Sequence, residues 1–301
     1  MKIEKLAGNA FIAHDLLDAP CATGVVRAAG KVLQGGAKAM ARTTTYTFAI
    51  RGLKVGGASA GISAEPDQLD AAVAAFVEGI AERAADGRLV IDAGKGVDPD
   101  ALGPLAAGDP RPGVHREVID GARLDARLVG IGAVAAAAAA VGSASGWTAS
   151  VEPGPDSAST LAALADAGIE ATADTLDAAV DVLFCGARQG VVDGATAETL
   201  GARVVVPIGP HAVSAKGLAV LGRRGIVVLP DFVALAGPTY AGWPDGDATV
   251  DAVTSACRDG IAAIVAEILD HEESPFLGAC TKAEEFLSTW QDELPFGRPL
   301  A

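Results

Sequence analysis

The chain has 301 residues, half of them hydrophobic but only 4% aromatic, and 38 acidic side chains against 23 basic ones leave a net charge of −15. That length holds one or two domains, and a surface this acidic repels phosphate backbones and anionic bilayers, which excludes nucleic acid and membrane surfaces as partners. Eight of the basic residues are lysines, a shortage that suits a protein kept hydrated in concentrated salt and also fits a chain from a GC-rich genome.

Residues 1–124 read as one α/β domain. A helix rich in Gly and Ala is expected over Gly30–Met40, a strand-like alternation over Tyr46–Ile50, then a glycine cluster. An amphipathic helix follows over Pro66–Ala85, where Leu69, Val73, Phe76, Val77 and Ile80 recur at helical spacing, and then a short strand over Arg88–Ile91. Gly103–Gly113, with its three prolines and three glycines, reads as a loop leading to a boundary.

After residue 125 short apolar runs alternate with helical segments. The runs are Arg127–Gly130, Trp147–Glu152, Val180–Phe184, Arg203–Ile208 and Gly225–Leu229; the helices include Ala133–Val141, Ser157–Ala167 and Ala195–Leu200. Such alternation implies a parallel sheet covered on both faces, so residues 125–250 are expected to form a doubly wound, Rossmann-like nucleotide-binding domain. Residues 251–301 complete the chain with helices over Asp251–Leu269 and Cys280–Leu294 that pack back between the domains.

Cys21, Cys185, Cys257 and Cys280 lie far apart with no C-x-x-C and no histidine at ligand spacing, so neither a disulfide framework nor a metal site is expected. The N-terminus lacks the apolar core of about 7 to 15 residues that marks a signal peptide. No apolar run reads as a membrane span, and the expected place is the cytoplasm. No G-x-S-x-G, Walker loop or H-E-x-x-H occurs.

Leu128–Ala135 spells G-x-G-x-x-A between an expected strand and an expected helix. In that setting Gly130 gives the tight turn, Gly132 lets backbone approach a pyrophosphate and Ala135 lets helix pack on sheet. Glu152, 20 residues after Gly132, stands where an acid receives a ribose diol and disfavours a 2′-phosphate, so the expected cofactor is NAD.

These motifs resemble those of the glutamate, leucine, phenylalanine and valine dehydrogenases, with segment lengths nearest to leucine dehydrogenase. Thr45–Ser59 runs without a gap against that family's T-Y-K-x-A-x-x-G-L-x-x-G-G-x-K signature. His14-Asp15 with Pro20 and Gly24, Gly87-Arg88 with Gly96, the stretch Phe184–Ala187, and Leu229–Gly237 against P-D-x-x-x-N-A-G follow in the family's order. The resemblance covers roughly residues 14–245 and implies a substrate domain, an NAD domain, a small-molecule substrate in the cleft between them and a homo-oligomer, for instance a dimer. It also implies that Gly56, Gly57, Ser59 and Leu235 line the substrate cleft, and that Cys185 and Arg188 lie near the cofactor.

Several positions depart from the family. One family lysine holds the substrate carboxylate, a second polarises the carbon bearing the amine, and an aspartate relays protons; here these positions read Thr47, Ser59 and Gly94. The asparagine of the P-D segment is Leu235. Thr, Ser and Gly supply no charge, and losing one such group costs on the order of 100-fold in rate. Lys54 and Lys95 stand close by in sequence as displaced charges, Arg188 as a partner for a carboxylate or phosphate, and His211 as a proton carrier at a strand end; His115 is expected to be exposed. Two readings follow: an NAD-dependent amino-acid dehydrogenase-like oxidoreductase with a substituted site, or a non-catalytic paralogue that binds a nucleotide or other ligand, or serves as partner subunit to an active enzyme.

Overall fold

The structure is a computed structural model and describes residues 1–173 and 176–300. The chain divides into two compact units, Met1–Pro110 with Ala283–Pro299, and Arg111–Lys282 with Leu300. The division falls at residue 110, ahead of the boundary at 124 that the pattern suggested. The segment expected to form a third, C-terminal part is shared, with residues 251–282 in the second unit and 283–299 in the first.

In the first unit, β1 (Lys2–Leu6) and β2 (Ala10–His14) form an antiparallel hairpin, followed by β3 (Cys21–Ala29), α1 (Gln34–Ala49), β4 (Val55–Ser63), α2 (Leu69–Ala85) and β5 (Leu89–Ala93). The sheet order is β1-β2-β4-β3-β5, with β3 parallel to both β4 and β5. Alternation along the strands sends Ile12, Val26 and Ile62 to one face, where they bury with Val73, Phe76 and Ile80 of α2. Each such side chain stabilises the fold by roughly 1.5–3 kcal/mol. Phe11 and Ala13 point the other way and meet Ala37 and Ala41 of α1.

The expected helix over Pro66–Ala85 and strand over Arg88–Ile91 are present, but the strand expected at Tyr46–Ile50 is the last turn of α1. The β-branched run Thr43–Thr47 looks strand-like. In the helix, Thr43, Thr44, Thr45 and Thr47 each return their hydroxyl to the carbonyl four residues back, which satisfies those groups locally and removes their preference for an extended chain. Gly57 explains why this helix lies so close to the sheet, since a Cβ there would stand 1.8 Å from the Ala41 carbonyl oxygen.

The second unit opens with a small hairpin, β6 (Val118–Ile119) and β7 (Ala122–Arg123), and the long helix α3 (Leu124–Val141). Then come β8 (Thr148–Val151), α4 (Ser157–Asp166), β9 (Glu170–Thr172), β10 (Val182–Cys185), α5 (Gly194–Thr199), β11 (Val204–Pro207), α6 (Ala215–Arg223) and β12 (Val227–Val228). The five strands are all parallel in the order β12-β11-β10-β8-β9, the doubly wound α/β arrangement read from the alternating pattern. Two short helices, α7 (Asp231–Ala234) and α8 (Gly237–Gly242), precede α9 (Val250–Ile268), and α10 (Pro275–Leu287) closes the helices.

One expected strand is absent: Arg127–Gly130 lies inside α3. The helix continues through Gly130 because its glycines serve helix packing. A Cβ on Gly130 would stand 2.2 Å from the Ser159 carbonyl oxygen of α4, and one on Gly132 would meet Ile261 of α9 at 2.7 Å. By length and composition α3 could cross a bilayer, but half of it is buried, with Leu128, Ala133, Ala136 and Ala137 fully enclosed.

Candidate functional site

In the first unit the three positions where the sequence resemblance leads one to expect charged residues, Thr47, Ser59 and Gly94, are each held by local packing or hydrogen bonds. Thr47 is buried on α1 and spends its hydroxyl on the Thr43 carbonyl at 3.0 Å. Ser59, on β4, is fully buried and its Oγ accepts a hydrogen bond from Arg27 Nη2 at 3.1 Å. Gly94 follows β5, its amide donating to the Val26 carbonyl at 2.8 Å; a Cβ there would stand 2.9 Å from Arg27 Cγ. One arginine on β3, between β4 and β5 in the sheet, therefore reaches two of the three positions. Lys54 and Lys95 are exposed. Gly56 and Gly57 are shaped by packing, since a Cβ on Gly56 would press on Ala19 at 2.9 Å and one on Gly57 would run into α1.

Nothing in the linear motifs pointed to Arg27. Its signal was available, as a single charged residue inside Cys21–Ala29, an otherwise small and apolar strand.

In the second unit the carboxyl edge of the parallel sheet is where a doubly wound fold receives its ligand. Glu152 ends β8, and one carboxylate oxygen accepts from the backbone amides of Gly186 at 2.8 Å and Ala187 at 3.0 Å, just past β10. It therefore closes the first strand of the β8-α4 unit, whereas the ribose-binding acid of the expected turn would close the second strand. The turn that follows β8 reads Glu152-Pro153-Gly154-Pro155-Asp156. Two of its five residues have no N–H, and the Gly154 amide donates to Ser157 Oγ at 3.2 Å. Desolvation raises the Asp156 carboxyl above its ordinary range. Gly130, Gly132 and Ala135, expected to form this turn, lie within α3.

Cys185 is fully buried among Leu183, Val205 and Leu221, and burial, helped by the Glu152 charge, pushes its thiol well above the usual range. Its side chain thus belongs to the core. Arg188 is exposed. Leu235 is half-buried where α7 ends. His115, expected at the surface, is buried, with Nδ1 2.6 Å from the Pro112 carbonyl oxygen.

In the loop four residues past β11, His211 adopts φ 55° and is buried; its amide donates to Asp231 Oδ2 at 2.7 Å and its carbonyl accepts from the Gly190 amide at 2.8 Å. Burial raises the Asp231 carboxyl above its ordinary value, against the opposing pull of the His211 charge and the backbone amides of His211, Phe232 and Asp231 itself. Among the described residues no group of three or more His, Cys, Asp or Glu is placed to hold a metal ion.

No family model and no curated protein sequence matches the chain. Solved structures do. The hetero-hexameric glutamate dehydrogenase of Thermus thermophilus, in a leucine-bound form, superposes with a TM-score of 0.77 at 17% identity, over 93% of this chain and 83% of that one. L-tryptophan dehydrogenase from Nostoc punctiforme gives 0.70 at 17% identity over 96% and 97%, and glutamate dehydrogenase from Peptoniphilus asaccharolyticus 0.72 at 15% over 93% and 86%. At these identities the likeness establishes the fold, which is the mixed α/β architecture expected from the sequence.

The residues of the β8-α4 turn do not fit the dinucleotide that this fold implies. A pyrophosphate needs free amides in the turn and at the helix N-terminus that follows it, and here two of the turn's residues are prolines while the Glu152 carboxylate adds negative charge beside them.

Proposed function

We infer that this chain is an oxidoreductase-like protein of the amino-acid dehydrogenase kind that binds a small ligand and does not run pyridine-nucleotide redox chemistry. The observation that carries this reading is the E-P-G-P-D turn after β8, whose Glu152 carboxylate takes up the two amides beyond β10. A pyrophosphate brought there meets like charge and few donors. Thr47, Ser59 and Gly94 support it from the other unit, because no lysine and no aspartate stands where the family's reaction uses them. A cytoplasmic place, a small-molecule ligand and self-association, or pairing with an active homologue, belong to the same proposal.

A second reading, an NAD-dependent oxidoreductase with a displaced site, draws on one observation: Arg27 brings a cation to Ser59. Titration of the purified chain in high salt with NAD, NADH and NADP, alongside an absorbance assay over amino, 2-oxo and hydroxy acids, separates the two. Absent nucleotide binding and absent turnover are expected. Reduction of NAD by any of these substrates would overturn the first reading and establish the second.

A further inference from the structure

Arg27 carries more charge than its surroundings answer. It is half-buried on β3, and its pKa is lowered by desolvation, with no acidic side chain drawing it back. Nη2 donates to Ser59 Oγ, whereas Nε is buried without a hydrogen-bond partner. Leaving such a donor unsatisfied costs about 1–3 kcal/mol, and more on a charged group. A fold selected for stability alone does better with an apolar side chain of the same volume. The space around the stem is kept by Gly94, whose Cβ would press on Arg27 Cγ. Ser59 accepts from Arg27 and retains its own hydroxyl proton to donate.

We propose that Arg27, with Ser59 beside it, is the anion-holding group of the first unit, and that its ligand carries a carboxylate. One guanidinium and one hydroxyl balance a single negative charge, and the guanidinium fork matches the planar carboxylate in two parallel hydrogen bonds. A phosphate dianion would leave a charge unanswered in a chain of net charge −15. This identifies the ligand class of the small-molecule site proposed above and rests on that reading only for the absence of hydride transfer.

The test is calorimetric titration of the full chain with acetate, pyruvate, L-alanine, L-glutamate and inorganic phosphate. At least one carboxylate binds, phosphate binds more weakly, and Arg27→Gln loses roughly ten- to a hundredfold in affinity. Arg27→Lys, which keeps the charge without the fork, falls between. Arg27→Met, whose flexible chain replaces the stem, holds or raises Tm, because a function-bearing charge without a counter-ion is removed. Equal carboxylate binding by Arg27→Gln, tighter binding of phosphate, no binding of any carboxylate by the parent chain, or a fall in Tm for Arg27→Met would each overturn the proposal. If the parent chain reduces NAD while Arg27→Gln still loses its carboxylate, the non-redox reading fails and the assignment of Arg27 stands.

Discussion

The amide of His211 and the carboxylate of Asp231 meet at 2.7 Å inside the second unit, joining the loop after β11 to the start of α7. The second Asp231 oxygen accepts the Phe232 amide at 2.8 Å, so both oxygens are committed to backbone. His211 sits at φ 55°, a conformation that costs a non-glycine residue on the order of 1 kcal/mol or more, and this hydrogen bond helps hold it there.

The pH dependence of Asp231 follows from its raised carboxyl. In the unfolded chain an aspartate titrates near ~3.9. A folded value above that means the protonated form is favoured by folding, so its contribution to stability is complete below about pH 4 and is lost as pH rises through the folded value. Asp231→Asn removes that slope and turns an amide NH2 toward one of the two backbone donors, at about 1–3 kcal/mol. Urea unfolding at about pH 4, 5.5 and 7 should show the variant less stable than the parent, with the gap narrowing as pH rises. A gap that widens would mean that Asp231 is ionised in the fold.

The pair Arg42–Asp15 ties the first unit internally. Arg42 Nε donates to both Asp15 oxygens at 2.9 Å and Nη2 lies 2.8 Å from Oδ1, with both side chains buried. Arg42 Nη1 also donates to the Phe296 carbonyl at 2.5 Å, fixing the returning tail. Asp15→Asn leaves a buried guanidinium without its counter-ion and should cost about 3–5 kcal/mol. Thermal unfolding of the variant reads this directly, and a change under about 1 kcal/mol would show that water reaches the pair and answers the charge.

What the sequence revealed follows from where the information lies. The strands β10 and β11 are buried along their whole length, so each is a continuous apolar run, legible one segment at a time. Leu128–Ala135 misled because a phosphate turn and a close helix crossing ask for the same small residues; only α4 and α9 on either side of Gly130 and Gly132 tell them apart. The threonines of α1 misled because their preference for strand is cancelled by hydroxyl bonds that exist only in the helix. Arg27, though visible as the lone charge of its strand, could not be assigned a role from the sequence for a third reason. Its meaning depends on Ser59 and Gly94, which are 32 and 67 residues away in the chain and become its neighbours through the β3-β4 and β3-β5 pairings.

Two glycines near α1 should respond oppositely to the same change. At Gly57 a Cβ would fall 1.8 Å from the Ala41 carbonyl and 2.8 Å from the Thr45 amide, so Gly57→Ala forces α1 off β4. Its cost belongs at or above the top of the roughly 1–3 kcal/mol typical of overpacking. At Gly36, in the first turn of α1, a Cβ would meet nothing within 4 Å, and Gly36→Ala should stabilise by up to about 1 kcal/mol through helix propensity. Denaturant midpoints of the two variants check the pair, and equal effects would contradict the close helix-to-sheet approach.

Glu152 offers a test of the turn itself. One of its oxygens accepts both amides beyond β10, and a glutamine oxygen can do the same. Glu152→Gln should therefore stay within about 1 kcal/mol of the parent, while Glu152→Ala, which strands the half-buried Gly186 amide, loses toward the lower end of the roughly 1–3 kcal/mol expected for an unmet donor. Neither variant should acquire NAD binding, because Pro153 and Pro155 still withhold the amides a pyrophosphate needs. Calorimetry with NAD on Glu152→Gln decides the point. Measurable binding gained by that one substitution would mean that the carboxylate alone had kept the dinucleotide out, and that the prolines leave a competent turn.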